Sequence, residues 1–272
     1  MPQFEKLEPG QRRISRYGWS PDLPDHRDFL YAVPPATAVA LPPGVDLRPN
    51  CPPVYDQGQL GSCTANAIAG AIEFEQMKQK LPEFTPSRLF IYYNERVIEH
   101  SVTSDAGAQI RDGMKIVASK GVCAETSWPY DDTNKDPAPC PSCKYAKKPP
   151  QSCYKEALNH KVQLYQRLTP VLNTLKGCLA SGYPFVFGFT VYESFESQQV
   201  AKTGIVPMPS TNEHVVGGHA VMAVGYDDST QRFIVRNSWA TTWGIKGYFM
   251  MPYSYLTDSN LADDFWTIRT VQ

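Results

Sequence analysis

Four side chains that could share one chemistry occur in a fixed order: Gln57, Cys63, His219 and Asn237. Cys63 closes "DQGQLGSC", where a glycine-broken loop runs into the small-residue stretch "TANAIAGAI". A thiol is a strong nucleophile only as thiolate. Its ordinary pKa of about 8.5 falls by several units at a helix N-terminus or beside an imidazolium. Ser62 is a good capping residue, so the helix is expected to begin at Cys63 and to favour a sulfur anion. The base must come from elsewhere. Of the five histidines, at 26, 100, 160, 214 and 219, His219 opens the apolar run "HAVMAVGY" directly after two glycines. That context predicts a ring fixed at the mouth of a buried strand, with Gly218 letting a ligand or backbone come close. The next run ends "RNSWATTWG". If the two runs pair as a hairpin, the Asn237 carbonyl falls beside His219, accepts one ring N–H and sets the tautomer, while Trp239 shields that bond from water. The backbone N–H of Cys63 and the Gln57 amide are the expected oxyanion donors. Taken singly, a buried cysteine, a satisfied histidine or a turn asparagine is the commoner reading. The set of four points to nucleophilic catalysis.

The elements that must position these residues change character along the chain. Small and apolar residues recur at helical spacing from Ser62 to about Lys80. Thr85-Pro86 and Thr169-Pro170 each predict a helix start, with threonine as cap and proline in the first turn. Gly182 is expected to stop the second of these, and Ile110, Met114 and Val117 predict a further helix ending near Gly121. After residue 184 come short β-branched and aromatic runs: "FVFGFTV", "HAVMAVGY", "RFIVRNSW" and "GYFMM". Helices first and strands after predict an α+β architecture with a cleft between the two parts. A chain of 272 residues with net charge −1 has neither the basic excess of a nucleic-acid binder nor an apolar run long enough to span a membrane. Neither a nucleic-acid nor a membrane partner is therefore expected, and no cofactor is called for.

Three blocks, "QGQLGSC", "GHAVMAVGY" and "RNSWATTWGIKGY", resemble the papain-like cysteine proteases, and weaker similarity runs from about Leu41 to the C-terminus. His219 and Asn237 lie 156 (219 − 63) and 174 (237 − 63) residues after Cys63, beyond the usual range, which implies an insertion. The resemblance implies a two-part fold, a helical half (55–165) and an antiparallel, β-barrel-like half (166–272). It also implies an acyl-enzyme mechanism in a monomer. Cys63 would attack the peptide carbonyl, His219 would protonate the leaving amine, Asn237 would orient His219, and Gln57 would bind the oxyanion. "SDAGAQIRDG" falls where the family pairs with the substrate backbone, making Gly107 and Ala108 candidate contacts. The pocket for the second residue before the cut would be floored near "SNLADDFW". Asp263 there would favour arginine, Leu261 or Ala262 apolar residues. Thr64 and Leu60 depart from the family pattern, which has an aromatic and a cysteine there.

Residues 1–40 are expected to form a short pro-like segment preceding the peptidase region at 41–272. It would cross the cleft as an intramolecular inhibitor anchored by Trp19, Phe29 and Leu30. Seven cysteines leave at least one thiol outside any internal disulfide set. Disulfides among Cys123, Cys140, Cys143 and Cys153 are the first reading, ahead of a zinc site or free thiols, while Cys178 reads as a core thiol. Disulfides would favour an extracytoplasmic or secreted setting, although the N-terminus has no signal-peptide core. A catalytically silent peptide-binding fold and an acyl transferase with the same nucleophile are the competing functions.

Overall fold

A long helix of small side chains, α1 (Cys63–Gln79), runs through the middle of the molecule in a computed structural model that describes residues 17–34, 40–133 and 140–272. Its apolar and small residues face every direction, so it is buried nearly all round, packed against other helices on one side and a sheet on the other. The helical side is completed by α2 (Arg88–Ile98), α3 (Ile110–Ser119) and α4 (Gln151–Ala157). Three short helices, α5 (Leu172–Ala180), α6 (Gln198–Thr203) and α7 (Tyr253–Thr257), lie within the strand-rich half of the sequence.

The sheet contains β1 (Gly44–Asp46), β2 (Val162–Arg167), β3 (Phe185–Tyr192), β4 (Val215–Asp227), β5 (Arg232–Arg236), β6 (Tyr248–Pro252) and β7 (Ala262–Val271). Its order is β2-β7-β3-β4-β5-β6, with β1 added to β4, and every pairing is antiparallel. The α+β class agrees with the expectation, but the sheet is open at β2 and β6, so the barrel-like description is corrected. Two apolar clusters fill the interior. One lies between α1, the neighbouring helices and the sheet. The other packs Phe185, Phe187, Phe189, Phe265 and Trp243 on the far side of β3 and β4.

Local starts differ from the expected ones for identifiable reasons. The cap of α2 is Ser87, whose hydroxyl accepts from the Phe90 N–H at 3.2 Å. Pro86 is instead held in a bridge to Ala124. Helix α5 begins at Leu172, after Val171 in extended conformation, rather than at Pro170. The hydroxyl of Ser62 caps nothing, because Tyr130 and Asn66 take it. Strand β4 starts four residues before His219, since Val215, Gly217 and Gly218 already pair with β3.

Of the N-terminal arm, residues 1–16 and 35–39 lie outside the described residues. Residues 17–34 lie along the body. Trp19 and Tyr31 are buried, but Phe29 and Leu30 are 77% and 61% exposed and anchor nothing by side chain. There the arm is held by its backbone on the outer edge of β2: Arg167 N–H donates to Phe29 O and Tyr31 N–H to Arg167 O. Cys140 and Cys143 are joined by a disulfide, whereas Cys51, Cys63, Cys123, Cys153 and Cys178 are thiols. Among the described residues no three His, Cys, Asp or Glu side chains gather to hold a metal ion.

Candidate active site

Cys63 is the first residue of α1, and three backbone N–H groups, of Ala220, Gly18 and Thr64, reach its sulfur. Ala220 adjoins His219, so the helix end and the centre of β4 meet at this point. His219 faces Phe189 across the β3–β4 ladder. Its Nε2 lies 2.9 Å from Asn237 Oδ1. The same oxygen accepts the Ser238 N–H at 2.8 Å. That second bond identifies it as the amide oxygen, so Nε2 carries the proton and Nδ1 is the nitrogen that exchanges one. Asn237 is brought there by the antiparallel β4–β5 pairing, in which Met222 sits opposite Arg236. The imidazole is enclosed by Trp239, nearly parallel at 5.0 Å between ring centres, and by Phe189 and Tyr17 edge-on at 5.7 and 5.9 Å.

Gln57 reaches the same place by a different route. The loop before α1 bridges the segment after β5: Gln57 N–H donates to Ser238 O at 2.9 Å, and Asp56 pairs with Trp239. Its side-chain oxygen accepts the Ser238 hydroxyl at 2.5 Å, while its nitrogen donates to Leu60 O at 3.0 Å. The amide is therefore fixed at both ends. Tyr130 OH, which donates to Gln57 O at 2.7 Å and lies 2.6 Å from Ser62 Oγ, ties this loop to the start of α1. Ser238 and Tyr130 were not singled out in the sequence. Ser238 stands beside Asn237 in "RNSW" and could have been; nothing near "WPY" marks Tyr130.

Residues 17–22 of the arm lie directly over these groups. Ala108 N–H donates to Gly18 O at 2.7 Å, Ser20 N–H to Ala108 O at 3.1 Å, and Trp19 N–H to Gly218 O at 2.9 Å. The arm thus runs parallel to the 107–108 wall and is gripped from both sides. A Cβ at Gly18 would lie 1.6 Å from Gly61 O, so only glycine passes here. Gly107, at φ +77°, likewise has no room for a side chain beside Gly18. The Trp19 indole fills a slot in which a Cβ at Gly188 would collide with its ring. Tyr17 leans on His219 and donates to Glu196 at 2.6 Å. Neither Cys63 nor His219 is exposed. Under this cover burial pushes the Cys63 thiol up to about 12, against the downward pull of its three N–H contacts. Behind it, Thr64 donates at 3.0 Å to Glu95, a wholly buried carboxyl held well above its ordinary range by desolvation.

The structure brings Gln57, Cys63, His219, Asn237 and Trp239 together, with Gly107, Ala108 and Gly218 lining the groove above them. Asp263 is placed differently from the expectation. Its side chain is 47% exposed and bonds Arg167 at 3.2 Å. The next residue, Asp264, turns inward and accepts the Trp19 indole N–H at 3.0 Å. The cause is an irregularity in the β3–β7 ladder between Gly188 and Val186, with Asp264 at φ +59°. One extra residue exchanges the faces of its neighbours.

Residues 41–265 match the papain family of cysteine proteases. The match spans most of the chain, which belongs to that family and is a thiol hydrolase of the cysteine peptidase class. It is similar to xylellain, a cysteine protease from Xylella fastidiosa, with 50% identity and a TM-score of 0.91 over 98% of this chain and 100% of that one. A peptidase C1-like protein of Acanthamoeba polyphaga mimivirus is 45% identical over 95% of this chain and 88% of its own length. Cathepsin K of Gallus gallus is 29% identical over 78% of this chain and 58% of its own.

Proposed function

We propose that the chain is a monomeric endopeptidase in which Cys63 and His219 share one proton, and that residues 17–31 hold it latent by covering the cleft. The observation that carries this reading is that the Ala220 N–H, next in chain to the Asn237-held His219, reaches the sulfur at the start of α1, with the Gln57 amide fixed by Ser238 beside Asn237. Once the cover leaves, water re-enters and the penalty on the thiolate falls. The helix end and the imidazolium then favour the charged pair. The Cys63 sulfur bonds to the peptide carbonyl carbon. The developing oxyanion takes hydrogen bonds from the Cys63 N–H and the Gln57 side chain. The proton on His219 Nδ1 passes to the departing amine as the C–N bond breaks. Water, deprotonated by the same nitrogen, then hydrolyses the thioester and releases the acid. Asn237 holds the ring by Nε2 throughout, with Trp239 as its shield. Gly107, Ala108 and Gly218, which grip the arm, would take the substrate backbone in its place. Peptides or proteins are the substrates.

The test is intact-mass labelling with a peptide epoxide, run beside turnover of a fluorogenic peptide amide. One adduct on the chain lacking residues 1–40, none on its Cys63→Ser variant, slower labelling of the full-length chain, and release of the amine support the reading. Labelling without amine release would point to a silent binding fold. Diversion of the acyl group to an added amine in preference to water would point to a transferase.

A further inference from the structure

Beneath the arm lies a cluster of charge that the peptidase chemistry does not use. The arm contributes Asp22 and Asp28. The body contributes Arg111 from α3, Arg167 at the end of β2, and Asp263 and Asp264 from β7. Arg111 holds Asp28 through two nitrogens, at 3.1 and 2.6 Å, and Arg167 adds a third contact to it at 3.1 Å. Arg167 also meets Asp263 at 3.2 Å and Asp264 at 3.1 Å. Asp22 is left 4.0 and 3.9 Å from the two guanidiniums. It accepts instead the Arg111 backbone N–H and the Trp266 indole N–H, each at 3.0 Å. Asp22 and Asp264 are locked to each other, because the Asp22 N–H donates at 2.8 Å to the Asp264 oxygen that also accepts Trp19. The side chains of both are fully buried.

We propose that this junction is a pH-sensitive latch, in which docking of residues 17–31 draws one proton from solvent onto the Asp22–Asp264 pair, so that the cover holds most tightly in acid and loosens as the solution approaches neutrality. The inference rests on the reading that the arm covers the site. Its basis is charge balance. Without the arm, two guanidiniums face two carboxylates in the body. Docking brings in two more carboxylates, of which only Asp28 finds full ion pairs. Among the described residues the other groups nearby do not correct the excess. Glu99 at the end of α2 and Asp112 on α3 are acidic, and Tyr165 on β2 is neutral. Asp25 is paired with Arg27 of its own turn, and His26 is exposed. Desolvation accordingly raises both carboxyls, and the charge of Asp22 adds to the rise at Asp264, to about 7. The direction of the effect follows. A group whose pKa is raised in the docked state favours docking fully below its ordinary carboxylate range, and that contribution is lost as pH climbs through the docked value. Between about pH 4 and about pH 7 the released fraction should rise about tenfold per pH unit, and it should level off above that, where both states have lost the proton.

Hydrogen exchange of the Trp19 and Ser20 amides in full-length Cys63→Ser tests this without catalysis or self-cleavage. Corrected for the intrinsic pH dependence of exchange, their protection should fall about tenfold per unit from about pH 4 to about pH 7 and level off above that, while amides of β3 and β4 keep theirs. Asp22→Asn should flatten the profile. If that variant fails to fold, the β3 and β4 amides will reveal it and the wild-type profile alone decides. Protection that is constant or rises with pH overturns the latch. No arm protection at any pH overturns both latch and cover, and leaves the peptidase assignment to the labelling of Cys63.

Discussion

Trp19→Ala in the full-length chain should unmask activity. The indole is 9% exposed, sits in a slot that leaves no room even for a methyl group on Gly188, and donates to a buried carboxylate. Replacing a buried tryptophan by alanine costs about 3–5 kcal/mol in a packed interior. Here the loss falls on the docked state alone, since the arm's contacts are made only when it lies in the cleft. At 1.4 kcal/mol per factor of ten, the ratio of open to covered molecules should rise about 10²- to 4 × 10³-fold. The assay is the initial rate of fluorogenic amide hydrolysis at one pH, per molecule of titratable thiol, beside the unfolding midpoint of each protein. The rate should climb until it reaches that of a chain lacking residues 1–40, with the midpoint little changed. Gly18→Ala is the companion, because its Cβ would strike Gly61 O and lift the backbone without touching the indole slot. If both variants turn over substrate at the wild-type rate, while the shortened chain is faster, the hold of residues 17–19 has been misjudged. If all three match the wild type, the arm does not restrain the enzyme.

Other outcomes follow from the same contacts. Gln57→Ala in the shortened chain should lower kcat by about 10²–10³, as loss of an oxyanion donor does, with KM little moved. Ser238→Ala should cost less, since the Gln57 amide keeps its bond to Leu60. Asp264→Ala should weaken selection of tryptophan or arginine over leucine in the pocket that Trp19 fills by about tenfold or more, the worth of a hydrogen bond to a charged group. Asp263→Ala should leave that selection alone, because its carboxylate is turned toward Arg167 and solvent. Both are read by kcat/KM on paired peptides. Cys140→Ser with Cys143→Ser should cost about 2 kcal/mol or less in denaturant unfolding, because the bridge closes a loop with a sequence separation of only 3.

The parts of the fold carried by strong local patterns could be read in advance. The small-residue run gave α1 almost to its ends, and "HAVMAVGY" and "RFIVRNSW" gave the hairpin that brings Asn237 to His219. Strands β2 and β7 escaped notice. "VQLYQR" has a strongly polar half, and "ADDFWTIRTV" carries two aspartates directly after its first residue, yet each is completed by a partner about a hundred residues away. Asp263 and Asp264 show why registers resist such reading. A single irregularity decided which carboxylate entered the pocket, and spacing gives no sign of it. The arm's anchors divided the same way. Trp19 is held by a slot made from glycines, whereas Phe29 and Leu30 rest on a sheet edge that needs only their backbone. Nothing at Glu95 or Tyr130 marked their closeness to Cys63, since both arrive by tertiary packing.

The shared proton is tested most directly by the pH dependence of Cys63 alkylation in full-length Gly18→Ala, with and without His219→Ala. With the arm displaced and His219 present, iodoacetamide should modify Cys63 rapidly already near pH 5–6, and His219→Ala should move the onset toward the ordinary thiol range near 8.5. Covered wild type should react slowly, as expected for a buried thiol raised to about 12. The same alkaline onset in both variants would contradict the pairing of Cys63 with His219.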